Sequence, residues 1–314
     1  MKTREKPFVS ILTPVYNREK YIAECIESVL NQTYDNWEYV IVNNRSTDRT
    51  LEIAEEYAAK DSRIKIHTNE KHLPLMANLN NTFKFMSGDS KYCKVIHSDD
   101  WMFPECVEKM VAVAEECPEV GIVSSYCLKN ESIGLSGLPY PSHCVPGKEI
   151  ARKYLIDRMY LFGSPSSLLL RSDLIRKREK FYDEDDIHSD VSVCLDILRE
   201  ADFGFVHQVL TFMRLHESSV TSTIVKENYT YVLSPLKDLV KFGPDFLSEA
   251  ELEKMLYDRL KIFYHHLAKR VLEEKKLGFI SGYKKESDAL GLEFSQVRLL
   301  VRTMIEIIKL PLRK

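Results

Sequence analysis

Two adjacent carboxylates, Asp99 and Asp100, preceded by His97 and Ser98, form the densest chemical feature of this 314-residue chain. Side by side, such groups repel one another unless a cation or hydrogen-bond donors compensate, and their hard oxygens suit Mg²⁺ or Mn²⁺. A cation held there would bridge the oxygens of a bound diphosphate and stabilise charge on a departing phosphate group. Two more polar clusters, Thr13-Pro-Val-Tyr-Asn17 and Asn43-Asn-Arg-Ser-Thr-Asp48, also stand just after apolar runs. A fourth, Asp183-Glu-Asp-Asp-Ile-His-Ser-Asp190, offers carboxylates that could take a proton from a hydroxyl nucleophile. Each piece has a plainer reading: acidic pairs cap turns, Asn forms turns, and an Asp at a helix start satisfies the helix dipole.

The elements that must position these groups alternate between short apolar runs and longer stretches of helical period from Phe8 to Leu128. That alternation marks βαβ units around a mainly parallel central sheet flanked by helices, an α/β fold. Strands are expected at Phe8–Thr13, Tyr39–Val42, Ile64–His67, Tyr92–Ile96 and Gly121–Leu128. Helices are expected between them, the second capped by Ser46 or Thr47 and the third running from about Leu75 to Met86. Ligands of open α/β sheets collect beyond the carboxyl ends of the strands, where three of the four clusters fall. Residues 129–147, rich in Gly, Pro and Ser, read as a loop flanking that site. Further on come a strand at Ser167–Arg171, a helix after Asp190, and one or two β segments over Phe203–Met213.

Composition removes several classes. Forty-four basic against 47 acidic residues leave no field to hold a polyanion, so nucleic acid is not expected as a partner. No Gly-rich dinucleotide or P-loop fingerprint follows the first strand, which excludes the usual nicotinamide and NTPase phosphate cradles. Seven cysteines, at 25, 93, 106, 117, 127, 144 and 194, form no C-x-x-C pair and read as reduced core residues of a cytoplasmic protein. The charged start Met1-Lys-Thr-Arg-Glu-Lys-Pro leads into a strand rather than a signal-length apolar stretch, and no run approaches the roughly 20 residues that span a bilayer.

In order and context, Val9-Ser-Ile-Leu-Thr-Pro-Val-Tyr-Asn17, Cys25-Ile-Glu-Ser-Val-Leu-Asn-Gln-Thr33, Val40-Ile-Val-Asn-Asn-Arg-Ser-Thr-Asp48 and Ile96-His-Ser-Asp-Asp100 resemble the blocks of glycosyltransferase family 2, the inverting nucleotide-diphospho-sugar enzymes of GT-A type fold. The resemblance implies that Pro14 and Tyr16 flank the nucleobase, that Asn44 meets its edge, that Asp99 binds ribose or sugar, and that Asp100 ligates Mn²⁺ or Mg²⁺. Asn17, Arg45 and Asn78 join the donor-binding set. Asp190 corresponds to the catalytic base, and His216, in Met213-Arg-Leu-His216, to a residue reaching the metal or diphosphate. Two departures stand out: Asn43-Asn-Arg-Ser46 where the family usually has Asp-Asp-Gly-Ser, and His97 where it has Asp. His97 itself reads as a hydrogen-bonded strand-end histidine rather than a ligand.

The expected product is a metal-dependent hexosyltransferase-like enzyme serving glycan, cell-surface polysaccharide or glycolipid synthesis, with a glycan, lipid-linked or other hydroxyl acceptor. The alternatives are a non-catalytic nucleotide-sugar or glycan-binding protein and a sugar-1-phosphate nucleotidyltransferase. Residues 1–222 read as the catalytic domain, with a donor half over about 7–100 and an acceptor half over about 101–222, and 223–314 as a helical extension. Its last segment, 297–314, mixes apolar and basic residues. It suits packing against neighbouring helices, a second subunit of a homo-oligomer, or peripheral contact with the anionic inner face of a membrane.

Overall fold

The structure is a computed structural model describing residues 5–216, 232–274 and 277–309. The chain divides into two compact units, Met1–His216 and Glu217–Lys314. The expected domain boundary at 222 falls outside the described residues.

The first unit opens with β1 (Val9–Val15), α1 (Ile22–Leu30), β2 (Trp37–Asn43), α2 (Thr50–Ala58), β3 (Ile64–Thr68), α3 (Leu75–Phe83) and β4 (Tyr92–Val95). It continues with β5 (Trp101–Met102), α4 (Cys106–Glu116), β6 (Val120–Lys129), β7 (Ser132–Ile133), β8 (Cys144–Val145) and α5 (Gly147–Asp157), then β9 (Leu168–Arg171), α6 (Ser172–Arg176), α7 (Ser189–Ile197) and β10 (Asp202–Met213). One ten-stranded sheet gathers them, with β3-β2-β1-β4-β9-β6-β10-β5 in lateral order. The first four run parallel, β9 is antiparallel to both neighbours, and β10 returns parallel to β6. The expected α/β architecture is therefore present, with β9 making the sheet mixed.

Every residue of β1 and β2 is buried, as strands covered on both faces require, which explains their unbroken apolar runs. Helix α1 puts Ile22, Cys25, Ile26 and Val29 at helical spacing onto Ile11, Tyr39 and Ile41 of the sheet, within one core that also takes Met110 and Val111 of α4. Ile11 is fully buried at the centre of that core. Its truncation, Ile11→Ala, is expected to lower stability by about 2–5 kcal/mol, measured as a shifted urea midpoint at unchanged slope.

Several local expectations change. Phe203–Met213 belongs to a single strand, β10, whose register against β6 slips after Asp202 and between Val206 and Thr211, so bulges hide its continuity from the sequence. Residues 129–147 are not wholly irregular, since β7 and β8 each pair with a neighbouring strand. Asp48, rather than Ser46 or Thr47, serves the start of α2: its Oδ1 accepts from the Thr50 amide and hydroxyl at 3.0 and 2.5 Å. The all-thiol reading of the cysteines is overturned at one pair, because Cys117 just after α4 and Cys144 in β8 are joined in a disulfide with Cα atoms 6.6 Å apart. A separation of 27 residues gave no short-range signal for it. The other five cysteines form no disulfide and are buried.

The second unit contains α8 (Ser234–Phe246), α9 (Glu249–Glu274), α10 (Ile280–Ala289) and α11 (Gln296–Lys309). Leu236, Phe263, Tyr264, Leu267, Tyr283, Phe294 and Leu299 form its core. Helix α11 turns Leu299 inward and leaves Val297, Leu300, Val301, Met304 and Ile308 exposed; residues 310–314 lie outside the described part. No described helix is long and apolar enough to cross a membrane.

Candidate active site

Strands β1 and β4 are neighbours at the point where the parallel run changes direction, β2 lying on one side of β1 and β4 on the other. The crevice beyond their carboxyl ends is where an open α/β sheet offers loops and backbone donors to a ligand. Thr13 of β1 fastens the two strands, its hydroxyl donating to Ile96 O at 2.9 Å and sharing a 2.9 Å hydrogen bond with Tyr39 OH.

Asp99 and Asp100 leave β4 directly into this crevice and face different partners. Asp99 Oδ2 meets His216 Nε2 at 3.0 Å and Arg18 Nε at 3.3 Å. Asp100 is buried: its Oδ1 accepts the Arg214 amide at 3.0 Å and its Oδ2 the Ser166 hydroxyl at 2.6 Å. Arg214 also donates from Nε to Asp99 O at 3.1 Å and pairs with Glu24. The tail of β10, the first turn region after β1, and the segment before β9 thus close around one acidic pair.

The two carboxyls respond in opposite directions. Burial works to raise Asp99, but His97, the His216 hydrogen bond and the Arg18 guanidinium together hold it below the ordinary carboxylate range. For Asp100 burial prevails, helped by the charge of Asp99, and its carboxyl is raised in spite of His97, Ser166 and the Arg214 amide. Beneath them Lys94 is fully buried, with Nζ donating to Ser166 O and to Leu168 O, and burial lowers its pKa.

His97 departs from the sequence expectation. Its backbone amide donates to Ser166 Oγ at 3.1 Å, but its Nε2 is buried with no hydrogen-bond partner. One ring nitrogen and the carboxylate oxygens of Asp99 and Asp100 all lie within 4.8 Å of one another. An orphaned buried acceptor or donor is costly in isolation, so this ring is not the satisfied strand-end histidine expected. A cation between the three side chains would engage it.

A second network lies across the crevice. Asn44 is buried, and its Oδ1 accepts both the Leu73 amide at 2.9 Å and Asn69 Nδ2 at 2.8 Å, while its Nδ2 donates to Leu73 O at 2.9 Å. The oxygen expected to meet a nucleobase edge is therefore committed to the protein, because each of its lone pairs already has a donor. Asn78, also buried, accepts from the same Asn69 at 2.8 Å, and Asn81 donates back to Asn69 Oδ1 at 2.9 Å. This amide chain ties the end of β2 to the first turns of α3.

Tyr16 is 41% exposed and tilts against His72 with ring centroids 4.3 Å apart, whereas Pro14 is buried within β1. Asn17 and Arg45 both adopt left-handed backbone, at φ 50° and 65°. Asn17 is held there by bonds from the Thr47 amide to its Oδ1 (2.8 Å) and from its own amide to Ser46 Oγ (3.1 Å). At the position of Arg45 the family resemblance has Gly, the residue that takes positive φ without Cβ strain, so the exposed arginine accepts a backbone cost of about 1–2 kcal/mol.

Asp190 sits apart from the acidic pair in sequence and element, half-buried in the first turn of α7, with Oδ1 accepting the Val191 amide at 2.9 Å. Its charge helps burial raise the phenols of Tyr160 and Tyr182. Arg18, Ser166 and Asn69 carried no sequence signal as site residues, since each comes from a segment remote from the motif it supports and is an ordinary residue for its position.

Comparison with known proteins places the chain in one family. Residues 10–202 match the model of glycosyl transferase family 2, which covers more than half of the chain. An uncharacterized glycosyltransferase of Haemophilus influenzae is 28% identical over 247 residues, covering 73% of this chain and 76% of that protein. Three other curated glycosyltransferases, from Bacillus subtilis and Streptococcus pneumoniae, match over 127–132 residues, and the chain spans 47% or less of their length. Among solved structures, Staphylococcus aureus TarS 1–349 in complex with UDP superposes with a TM-score of 0.66 at 17% identity, covering 98% of this chain and 92% of that one. The mannosyltransferase PcManGT of Pyrobaculum calidifontis, in complex with GDP-Man and Mn²⁺, gives 0.58 at 13% identity over 98% and 87% of the two chains. With the family blocks, the nucleotide-sugar transferase fold and the strand-end acidic pair all in one unit, the chain belongs to glycosyl transferase family 2 and is a glycosyltransferase.

Proposed function

We propose that this glycosyltransferase moves a hexose from a nucleoside-diphosphate donor to a hydroxyl acceptor with inversion at the anomeric carbon, dependent on Mn²⁺ or Mg²⁺, in the building of a glycan, surface polysaccharide or glycolipid. The observation that carries the reading is the convergence of Asp99, Asp100, His97 and His216 beside Arg18 and Arg214 at the carboxyl ends of β1, β4 and β10. The complexes of TarS with UDP and of PcManGT with GDP-Man and Mn²⁺ support such a donor and cation.

The residues fit a divalent ion. Asp100 would be its carboxylate ligand, and a ring nitrogen of His97 is a second donor within reach. When bound, the cation would neutralise charge on the leaving diphosphate. A mixed nitrogen and oxygen set favours Mn²⁺ over Mg²⁺, which prefers oxygen and water. Asp99, kept ionised by His216 and Arg18, is placed to accept a ribose or sugar hydroxyl. Tyr16 offers an exposed ring face to the base, with Pro14 behind it in the strand. Asn44 and Asn78 act through the amide chain as positioning residues for the wall of the donor site, with Asn17 and Arg45 shaping the turns beside it. Asp190, in the first turn of α7, takes the acceptor proton as the new C–O bond forms and the bond to phosphate breaks.

The direct test is a thermal-shift screen of UDP-, GDP-, dTDP- and CMP-sugars with and without Mn²⁺. One nucleotide is expected to raise Tm in a Mn²⁺-dependent way by mass action, and its sugar to be transferred or slowly hydrolysed. A flat screen and no turnover would remove the proposal.

The raised carboxyl of Asp100 makes this shift depend on pH. A carboxyl whose folded pKa lies above its unfolded value of about 3.9 binds more protons when folded, so its ionisation lowers stability as pH rises through that interval. Asp100 would release that proton on holding a cation, whose charge would offset the repulsion from Asp99. The Tm gain from Mn²⁺ alone is therefore expected to be larger at pH 7.5 than at pH 5, and equal gains at both would contradict a cation on Asp100.

A further inference from the structure

At the opposite end of β6 from the acidic pair, the end of α4 and the start of β8 bring together Cys117, His143 and Cys144, with Glu116 beside the histidine. Ligand atoms of Cys117, His143 and Cys144 all lie within 4.8 Å of one another. His143 Nε2 stands 3.1 Å from Glu116 Oε1, and its Nδ1 faces Pro141 O at 3.4 Å. All five remaining cysteines are buried, so this pair alone among the described thiols is placed for chemistry with a solvent ion.

We propose that, once reduced, this cluster is a zinc site with Cys117 and Cys144 thiolates and a ring nitrogen of His143 as its three protein ligands and water as the fourth, so that a disulfide and a zinc ion are alternative staples of the same loop. The donor set is one that tetrahedral Zn²⁺ accepts. Glu116 Oε1 stands 3.1 Å from His143 Nε2, a carboxylate partner of the kind that orients a ligating imidazole from outside the ligand set. Cys117 and Cys144 Cα atoms at 6.6 Å lie near the upper limit of about 6.8 Å for a disulfide, so the sulfurs can part to admit an ion with little backbone movement.

The exchange balances simply. A dithiol reductant delivers two electrons and two protons, the S–S bond opens to two thiols, and the reductant becomes a disulfide. Zn²⁺ then binds both sulfurs as thiolates and releases their two protons to solvent. Either staple fastens the segment between β6 and β8 at its distal end. Its proximal end leaves Lys129, which pairs with Met213 beside the donor cleft. The ten residues of β6 separate the two places by about 30 Å, so the staple and the acidic pair take ions independently.

Co²⁺ is the probe, because thiolate ligation gives it an intense near-ultraviolet charge-transfer band. The reduced full chain is expected to take up one Co²⁺ with that band, to lose the band when Zn²⁺ is added, and to keep it in Asp100→Asn. Cys117→Ser and Cys144→Ser should each abolish it, and His143→Ala and Glu116→Ala should weaken uptake by at least the about tenfold typical of a lost outer partner. The unmodified chain gives a second reading: purified under reducing conditions, it should release one zinc ion to a chelating dye as a mercurial blocks its two accessible thiols. A reduced chain with no thiolate band, a band that survives Cys144→Ser, or zinc-free reduced protein would each overturn the proposal.

Discussion

Asp100→Asn is expected to fold, to lose its Mn²⁺-induced rise in Tm, and to transfer sugar about 10³-fold more slowly. The substitution keeps the shape of the side chain. An asparagine oxygen can still accept the Arg214 amide, and its NH₂ can donate to Ser166 Oγ, the two contacts the carboxylate now makes. What it removes is a charge that a cation needs, and Lewis-acid stabilisation of a leaving diphosphate amounts to several kcal/mol, or about tenfold in rate for each 1.36 kcal/mol. Circular dichroism and the metal-free Tm check folding, the Mn²⁺ shift checks binding, and single-turnover transfer checks chemistry. Turnover above about a tenth of the parent would dismiss Asp100 as the metal ligand. His97→Asn should be milder, weakening Mn²⁺ more than Mg²⁺, since it removes the imidazole that discriminates between them.

Asp190→Asn should separate chemistry from binding in the other direction. Loss of a general base costs about 10²–10⁴ in rate, whereas Asp190 belongs to α7, an element that carries neither the acidic pair nor the Asn44–Asn69–Asn78 chain, so donor affinity should change by less than about twofold. An asparagine Oδ1 preserves the hydrogen bond from the Val191 amide and hence the helix start. Rapid-quench measurement of transfer and isothermal titration with the donor nucleotide give the two numbers. If kcat is near normal, Asp190 is a cap and the base lies elsewhere. If kcat and donor affinity fall together, Asp190 is holding structure.

The sequence exposes those parts of this site that are local. Thr13 to Asn17, Asn43 to Asp48 and His97 to Asp100 each follow a strand within a few residues, and apolar periodicity is enough to place a strand end. It hides what depends on distant pairing. Ser166 reaches Asp100 only because β9 inserts antiparallel between β4 and β6, and an antiparallel insertion leaves no mark on a run of Leu168-Leu-Leu-Arg171. Strand β5 is two residues long, too short for any period to register. Arg18 belongs to an exposed-looking turn until Asp99 is seen beside it. The fate of Asn44 was equally illegible, because a side chain that can accept and donate reads the same whether it faces a ligand or Leu73 and Asn69.

The chain of carboxamides at Asn44, Asn69, Asn78 and Asn81 has one more consequence. Amides carry dipoles but no net charge, so this wall of the crevice is electrically quiet, while the opposite wall gathers Asp99, Asp100, Arg18 and Arg214. A nucleoside diphosphate is built with the same asymmetry, a neutral heterocycle at one end and concentrated charge at the other. Asp99 and Asp100 balance Arg18 and Arg214 in net charge, so it would be a cation held beside them that draws the diphosphate end to this wall and leaves the amide wall to the heterocycle.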